Sequence, residues 1–335
     1  MLQPVQRPRR RRRRRIIWPR LAAAAAIAAA AGTLGFYAGA HRTTGPEPAS
    51  AAQAAAAPAA PKPSNTVLFG GRSRSRPVRR EPLVVGPPLL RHRFSPPLTA
   101  AAAILVDART GRVLWARRAR ERRPVASTTK IMTALLALRR LGPHDVVTVD
   151  RSVPRVPLVR EGLRAGEHVQ AWKLFYGLLL YSGNDDALAL AIAAAGTRSS
   201  FVHAMNAEAR RLGLRDSHFR SPSGLQDVDN YSSAWDLAAL TRVALRNARF
   251  RAIVRTRRRV VPWAPPTYAR VYVNKNLLLR SYRGTTGVKT GYTTKAGRCL
   301  VASATRGRFS LIAVVLEAPD EYRDARRLLD LGFRS

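Results

Sequence analysis

Ala126-Ser127-Thr128-Thr129-Lys130-Ile131-Met132-Thr133-Ala134 places a lysine three residues after a serine at the head of an apolar, helix-spaced run. The pattern predicts a helix from Ser127 to Arg140, stopped by Gly142-Pro143 and seated in the core by Ile131, Met132, Leu135 and Leu136. Residues i and i+3 share a helix face, so the two side chains can meet. A serine hydroxyl is a poor nucleophile until a base takes its proton, and lysine can be that base only with a lowered pKa. Burial at a helix N-terminus lowers it, because desolvation and the positive dipole end both disfavour the ammonium. Taken alone, the same spacing equally fits a serine that caps the helix beside a solvated lysine.

The composition sharpens the choice. Of 59 basic residues only Lys62, Lys130, Lys173, Lys275, Lys289 and Lys295 are lysine. A guanidinium stays protonated in proteins, whereas an ammonium can be made to release its proton. A lysine kept in this background is therefore a candidate for chemistry that arginine cannot perform. Lys62 and Lys173 read as background.

Two further segments carry polar groups on unusual backbone. Tyr181-Ser182-Gly183-Asn184-Asp185 interrupts the helical stretch from Val169 to Ala195. It is either a simple helix connection or a turn that aims a hydroxyl and an amide into a cleft. Gly287-Val288-Lys289-Thr290-Gly291-Tyr292 reads as a strand of small residues that an extended peptide could approach closely. Lys289 and Thr290 would bring a cation and a hydroxyl to that edge, a pair suited to a carboxylate.

Around these segments, Ala101 to Asp107 and Arg112 to Ala116 form a predicted hairpin, with its turn at Asp107–Gly111. Helices follow at Phe201–Leu212 and Ser233–Arg246, and strands return between Arg280 and Leu316. Strands at both ends of a helical middle predict an α/β (α+β) domain whose sheet is completed by its two ends.

N-terminal to this domain the character changes. Residues 1–20 are strongly basic, and residues 21–40 form an uncharged, Ala-rich apolar run. Twenty helical residues span about 30 Å, enough for a bilayer core. The basic flank predicts a cytoplasmic N-terminus and export of the remainder. Ala38-Gly39-Ala40 also fits a signal-peptide cleavage site, so 21–40 is either a signal or an anchor. Residues 41–95, rich in Ala, Pro and Arg, read as a disordered tether, and 96–335 as the folded domain. Residues 1–95 carry 18 Lys/Arg against Glu47 and Glu81 within a total net charge of +39. The arginines are scattered without interleaved aromatics, which argues against a specific nucleic-acid partner. A single cysteine, Cys299, excludes an intramolecular disulfide, and its apolar context predicts a small buried strand residue. The histidines lack ligand spacing, so neither a metal nor another cofactor is expected.

Ser-x-x-Lys, Ser-x-Asn and Lys-Thr-Gly occur here in the order found in penicillin-recognising serine enzymes. Residues 98–333 resemble the D-alanyl-D-alanine carboxypeptidases, the low-molecular-weight penicillin-binding proteins. Agreement extends through Met205-Asn206, Leu212-Gly213-Leu214, Ser223-Gly224-Leu225, Asn274-Lys275-Asn276-Leu277-Leu278 and Leu328 to Phe333. The resemblance implies the DD-peptidase/β-lactamase-like fold, an antiparallel sheet flanked by helices with an inserted all-helical subdomain. It implies Ser127 as nucleophile, Lys130 as base, Ser182 and Lys289 as a proton path, and Asn184 and Thr290 as substrate-orienting groups. The backbone N–H groups of Ser127 and Tyr292, the latter beside Gly291, would form the oxyanion hole. The substrate would be a peptidoglycan stem peptide ending in D-Ala-D-Ala, and β-lactams would acylate Ser127. The chain ends shortly after Phe333, so the family's C-terminal β-rich domain is not expected and any membrane attachment falls to residues 21–40. Endopeptidase or transpeptidase activity would use the same residues. A β-lactamase is disfavoured by the lack of a Glu-x-x-Leu-Asn segment, and a basic polyanion-binding protein by three intact motifs.

Overall fold

The strand residues from Ala102 to Asp107 alternate between two cores, and that alternation organises the domain. Ala102, Ile104 and Val106 enter one buried cluster, while Ala103 and Leu105 enter another. A sheet with period-two side chains and apolar residues on both faces must be covered on both sides. The computed structural model describes residues 83–84, 97–225, 229–263 and 268–334. All belong to one unit, Ser73–Ser335.

The central sheet has five antiparallel strands: β1 (Ala102–Asp107), β2 (Val113–Arg117), β7 (Thr285–Thr293), β8 (Gly297–Arg306) and β9 (Phe309–Leu316). Their order is β2-β1-β9-β8-β7, so the two ends of the domain complete one sheet and β7 lies at its edge. The C-terminal helix α8 (Glu321–Phe333) covers one face through Ala325, Leu328 and Leu329. The other face packs on the insertion between β2 and β7. There α1 (Lys130–Arg140), α2 (Ala171–Tyr176), α3 (Asn184–Ala195), α4 (Arg198–Leu212), α5 (Ala234–Ala244), α6 (Ala248–Val254) and α7 (Leu278–Ser281) carry the larger cluster.

Register sets which face each site residue uses. Lys289 pairs with Val301, Val301 with Val314, and Val314 with Ile104. Directly opposed strand residues point to the same side. Val301, Val314 and Ile104 all lie in the cluster beneath the insertion, so Lys289 faces the helices.

Three features differ from the sequence reading. The insertion is not wholly helical: β3 (Val146–Thr148) pairs with β4 (His168–Gln170), and β5 (Arg258–Val261) with β6 (Arg270–Val273). These are short β-branched pieces, too brief for periodicity to announce. Within the stretch expected as a tether, Leu83 is buried and Val84 exchanges backbone hydrogen bonds with Gly111 (2.9 Å) and Val113 (3.0 Å). Leu136 is only partly buried, while Ala134, Ala137 and Leu138 take core positions on α1. Cys299 is buried on β8. The expectations for residues 1–40 and most of 41–95 lie outside the described residues. Among the described residues no helix is long and apolar enough to cross a membrane.

Candidate active site

Ser127 lies in a turn of 3-10 helix, Ala126–Thr129, that runs directly into α1. With about three residues per turn, Ser127 and Lys130 nearly eclipse, which aligns them better than an α-helix would. Ala126 holds φ +46°, a left-handed conformation costing roughly 1–3 kcal/mol for a residue with a side chain. The Thr128 hydroxyl donates to the Val125 carbonyl at 2.7 Å, and Asn230 Nδ2 donates to Thr129 Oγ1 at 3.3 Å. The result is a braced turn with Ser127 partly open to solvent and Lys130 wholly buried behind it.

Lys130 Nζ lies 3.0 Å from Ser127 Oγ, 2.7 Å from Asn184 Oδ1 and 3.0 Å from the Ser223 carbonyl oxygen. The Asn184 amide is oriented by its Nδ2, which donates to the Pro157 carbonyl at 3.1 Å and so leaves Oδ1 facing the lysine. Burial pushes the Lys130 pKa down from 10.5 to about 7, against a smaller upward pull from Asp186. A neutral amine has two N–H donors and one lone pair. Asn184 Oδ1 and the Ser223 carbonyl can only accept, so they take both N–H groups and leave the lone pair for the Ser127 hydroxyl. That is the geometry a general base requires.

The Ser182 turn enters from behind. Gly177–Tyr181 form a single wide turn of π-helix, Ser182 then adopts φ +75°, and Asn184 begins α3. Ser182 and Asn184 are both buried. From the opposite wall comes β7. A Cβ on Gly291 would stand 3.0 Å from the Ser127 backbone nitrogen and 3.1 Å from that of Thr128, so the strand edge runs against the Ser127 turn. Thr290 is half-buried, and the Tyr292 side chain is 66% exposed. Lys289 is buried, and its ammonium is depressed well below its usual pKa by desolvation, then by the charges of Lys130 and Lys275. Its Nζ donates to the Thr290 carbonyl at 2.9 Å. Among the described residues no hydrogen bond joins it to Ser182. The structure therefore gathers Ser127, Lys130 and Asn184 into one bonded cluster, with Lys289 close by through its charge.

Sequence reasoning missed three contributors. The Ser223 carbonyl is a backbone group with no residue signature. Gly224 has φ +77°, and a Cβ there would overlap the Ala126 carbonyl and stand 2.6 Å from Thr129 Oγ1, so glycine is needed behind the Ser127 turn. Lys275 stacks 4.7 Å from the Tyr181 ring centroid, and its charge helps depress both Lys130 and Lys289. Its rarity as a lysine was the available signal. Asn274 and Asn276 brace its turn: Asn274 Oδ1 accepts from the Asn276 backbone N–H at 3.0 Å, and Asn276 Oδ1 from that of Leu278 at 3.1 Å.

The fold is that of the DD-peptidases. A solved Streptomyces K15 DD-transpeptidase superposes with a TM-score of 0.69 at 33% identity, covering 72% of this chain and all of the other. Penicillin-binding protein 6B of Escherichia coli matches at 0.66 and 34% identity, covering 72% of this chain and 79% of the other. The D-alanyl-D-alanine carboxypeptidase family model matches residues 91–320, and the chain belongs to that family. Among curated relatives, a carboxypeptidase from Streptomyces sp. (strain K15) is 35% identical over 71% of this chain and 88% of its own length. DacF of Bacillus subtilis is 34% identical over 70% of this chain, which spans 62% of that relative.

Proposed function

We propose that this protein is a serine-type D-Ala-D-Ala carboxypeptidase of the bacterial cell envelope. The Lys130 geometry carries the reading: a buried amine of lowered pKa whose lone pair is left for Ser127 Oγ. Ser127 Oγ attacks the carbonyl of the penultimate D-alanine while Lys130 takes the hydroxyl proton. The oxyanion is stabilised by the backbone N–H groups of Ser127 and Tyr292, each such donor contributing ~3 kcal/mol. Collapse of the tetrahedral intermediate breaks the peptide bond, and the departing D-alanine amine receives a proton delivered by way of Ser182 and Lys289. Water then hydrolyses the ester on Ser127. Asn184 orients the peptide, and Lys289 and Thr290 hold the terminal carboxylate, with Gly291 letting the extended substrate lie along β7. A β-lactam enters the same path and remains as the acyl-enzyme. No cofactor enters this scheme.

One observation favours a second reading: the superposed Streptomyces structure bears the name DD-transpeptidase. There an amine would replace water in the second step, using the same residues. The basic residues 1–20 and apolar residues 21–40 support export, with the domain released or tethered outside the cytoplasm.

The test incubates the protein with a fluorescent penicillin and, separately, with a muramyl pentapeptide, with and without an amine acceptor. Covalent labelling lost in Ser127→Ala, with D-alanine released by the parent, is expected. Labelling that survives the substitution, or a parent that releases no D-alanine, would overturn the reading. Product dominated by the acceptor adduct would favour the transpeptidase.

A further inference from the structure

Beneath the Ser182-Gly183-Asn184 turn lies a buried acidic group that the proposed mechanism does not use. Asp185 accepts from the backbone N–H groups of Glu161 (2.8 Å), Gly162 (2.9 Å), Leu163 (3.2 Å) and Asp186 (3.1 Å), so its carboxylate is fully engaged. Glu161 Oε2 accepts from Arg270 Nη1 and the Tyr272 hydroxyl, both at 2.6 Å. Asp186 differs. It is wholly buried, and among the described residues no N–H or hydroxyl group donates to either of its oxygens or to Glu161 Oε1. The two carboxyl groups converge above Gly177, where a Cβ would meet Glu161 Oε1 and stand 2.5 Å from each Asp186 oxygen. A Cβ on Gly183 would likewise overlap Asp186 Oδ2, so this carboxyl supports the turn directly.

Two buried carboxyl groups in contact cannot both ionise, and an orphaned buried carboxylate costs several kcal/mol. A proton on one is the donor that satisfies the other. Burial raises the Glu161 carboxyl as well, but the Tyr272 hydroxyl and the Arg270 charge oppose that rise, whereas Asp186 has no such partners, so the shared proton rests with Asp186.

We propose that Asp186 and Glu161 share one proton, and that Asp186 is thereby a neutral positioning residue that supports the Ser182–Asn184 turn and keeps negative charge away from Lys130. The inference rests on Lys130 acting as the base. The groups facing Asp186 are Glu161 from the segment before β4, Asp185 beside it, Arg270 and Tyr272 from β6, and Lys130 from α1. Desolvation and the charges of Glu161 and Asp185 hold the Asp186 carboxyl well above the usual carboxylate range. When ionised, Asp186 is the carboxyl that pulls Lys130 upward most strongly. If the proton left Asp186, Lys130 would stay protonated to higher pH and lose its function as a base near neutrality.

The test measures the second-order rate of penicillin acylation against pH in the full chain. Glu161→Gln removes the charge that, after burial itself, most favours the proton on Asp186, and leaves Arg270 to favour its ionised form. The rising limb should then move up by about one pH unit. Asp186→Asn, which has no charge to gain, should not move it upward. The double variant should bring the limb back to that of the parent. A merely structural role predicts slower acylation at every pH with an unmoved limb and no rescue, and that outcome would overturn the proposal. Infrared spectroscopy gives a second readout, independent of activity. A protonated-carboxyl band at pH 7 should vanish in Asp186→Asn, and its absence from the parent would equally sink the idea. A parent that penicillin does not acylate, yet shows the band, would sink the carboxypeptidase reading and leave the proton-sharing half standing.

Discussion

At the scale of single residues, Lys130 concentrates the proposed chemistry. Its pKa is lowered mainly because its ammonium is stripped of water, and its three polar partners only partly replace that water. Two consequences follow with definite sign. With Lys130 as the proposed base, acylation needs the neutral amine, so the rate should rise with pH through a midpoint near 7, measured with penicillin under single-turnover conditions. Between about 7 and 10.5 the unfolded chain binds the proton that the folded chain has lost, so this residue makes folding more favourable as pH rises across that window. Lys130→Arg keeps the charge but cannot release its proton near neutrality. It should retain the far-ultraviolet circular dichroism of the parent and lose acylation. An active arginine variant would remove the argument for Lys130 as base. The scarcity of lysine flagged Lys130, Lys289 and Lys275 alike; motif order singled out the first two, and packing buries those and leaves Lys275 half-exposed against Tyr181.

At the scale of elements, the site is a meeting of three unusual backbone segments. Ala126 and Ser182 each hold positive φ beside a proposed catalytic group, and both persist because the surrounding packing over-determines them. Gly224 is the keystone of the first. Gly224→Ala places a methyl against the Ala126 carbonyl at a φ that alanine resists, and should destabilise the domain by roughly 2–4 kcal/mol. Its thermal midpoint should fall, and acylation should fall further than stability accounts for, since the displaced turn carries Ser127. A normal acylation rate in a folded variant would show that the turn is not held from behind. The sequence made the α1 stretch and the interruption at Ser182 visible through helical spacing and Gly-Asn chemistry. It hid the Ser223 carbonyl, because a backbone acceptor has no residue signature, and the β3–β4 and β5–β6 pairs, because three- and four-residue strands are too short for a period.

At the scale of the whole molecule, β1 and β2 from the start of the domain join β7, β8 and β9 from its end, and the chain between them folds against one face. The N-terminal approach contributes too. Leu83 buries its side chain, and Val84 bonds to both sides of the β1–β2 hairpin. A chain beginning at residue 97 should therefore be less stable than one beginning at 73 by about 1–3 kcal/mol, read as a lower urea midpoint. Equal midpoints would make that contact incidental. Motif order, the strands at both ends of the domain and the basic, apolar N-terminus were legible in the sequence, because turn chemistry and residue type are local properties. The tertiary structure decided the rest. It turned Lys289 toward the helices by register, brought Asn184 and Ser223 onto Lys130 across 54 and 93 residues, and drove Asp186 against Glu161. Burial, and with it the pKa of a buried group, belongs to residues distant in the chain that close around it, so no local reading of the sequence contains it.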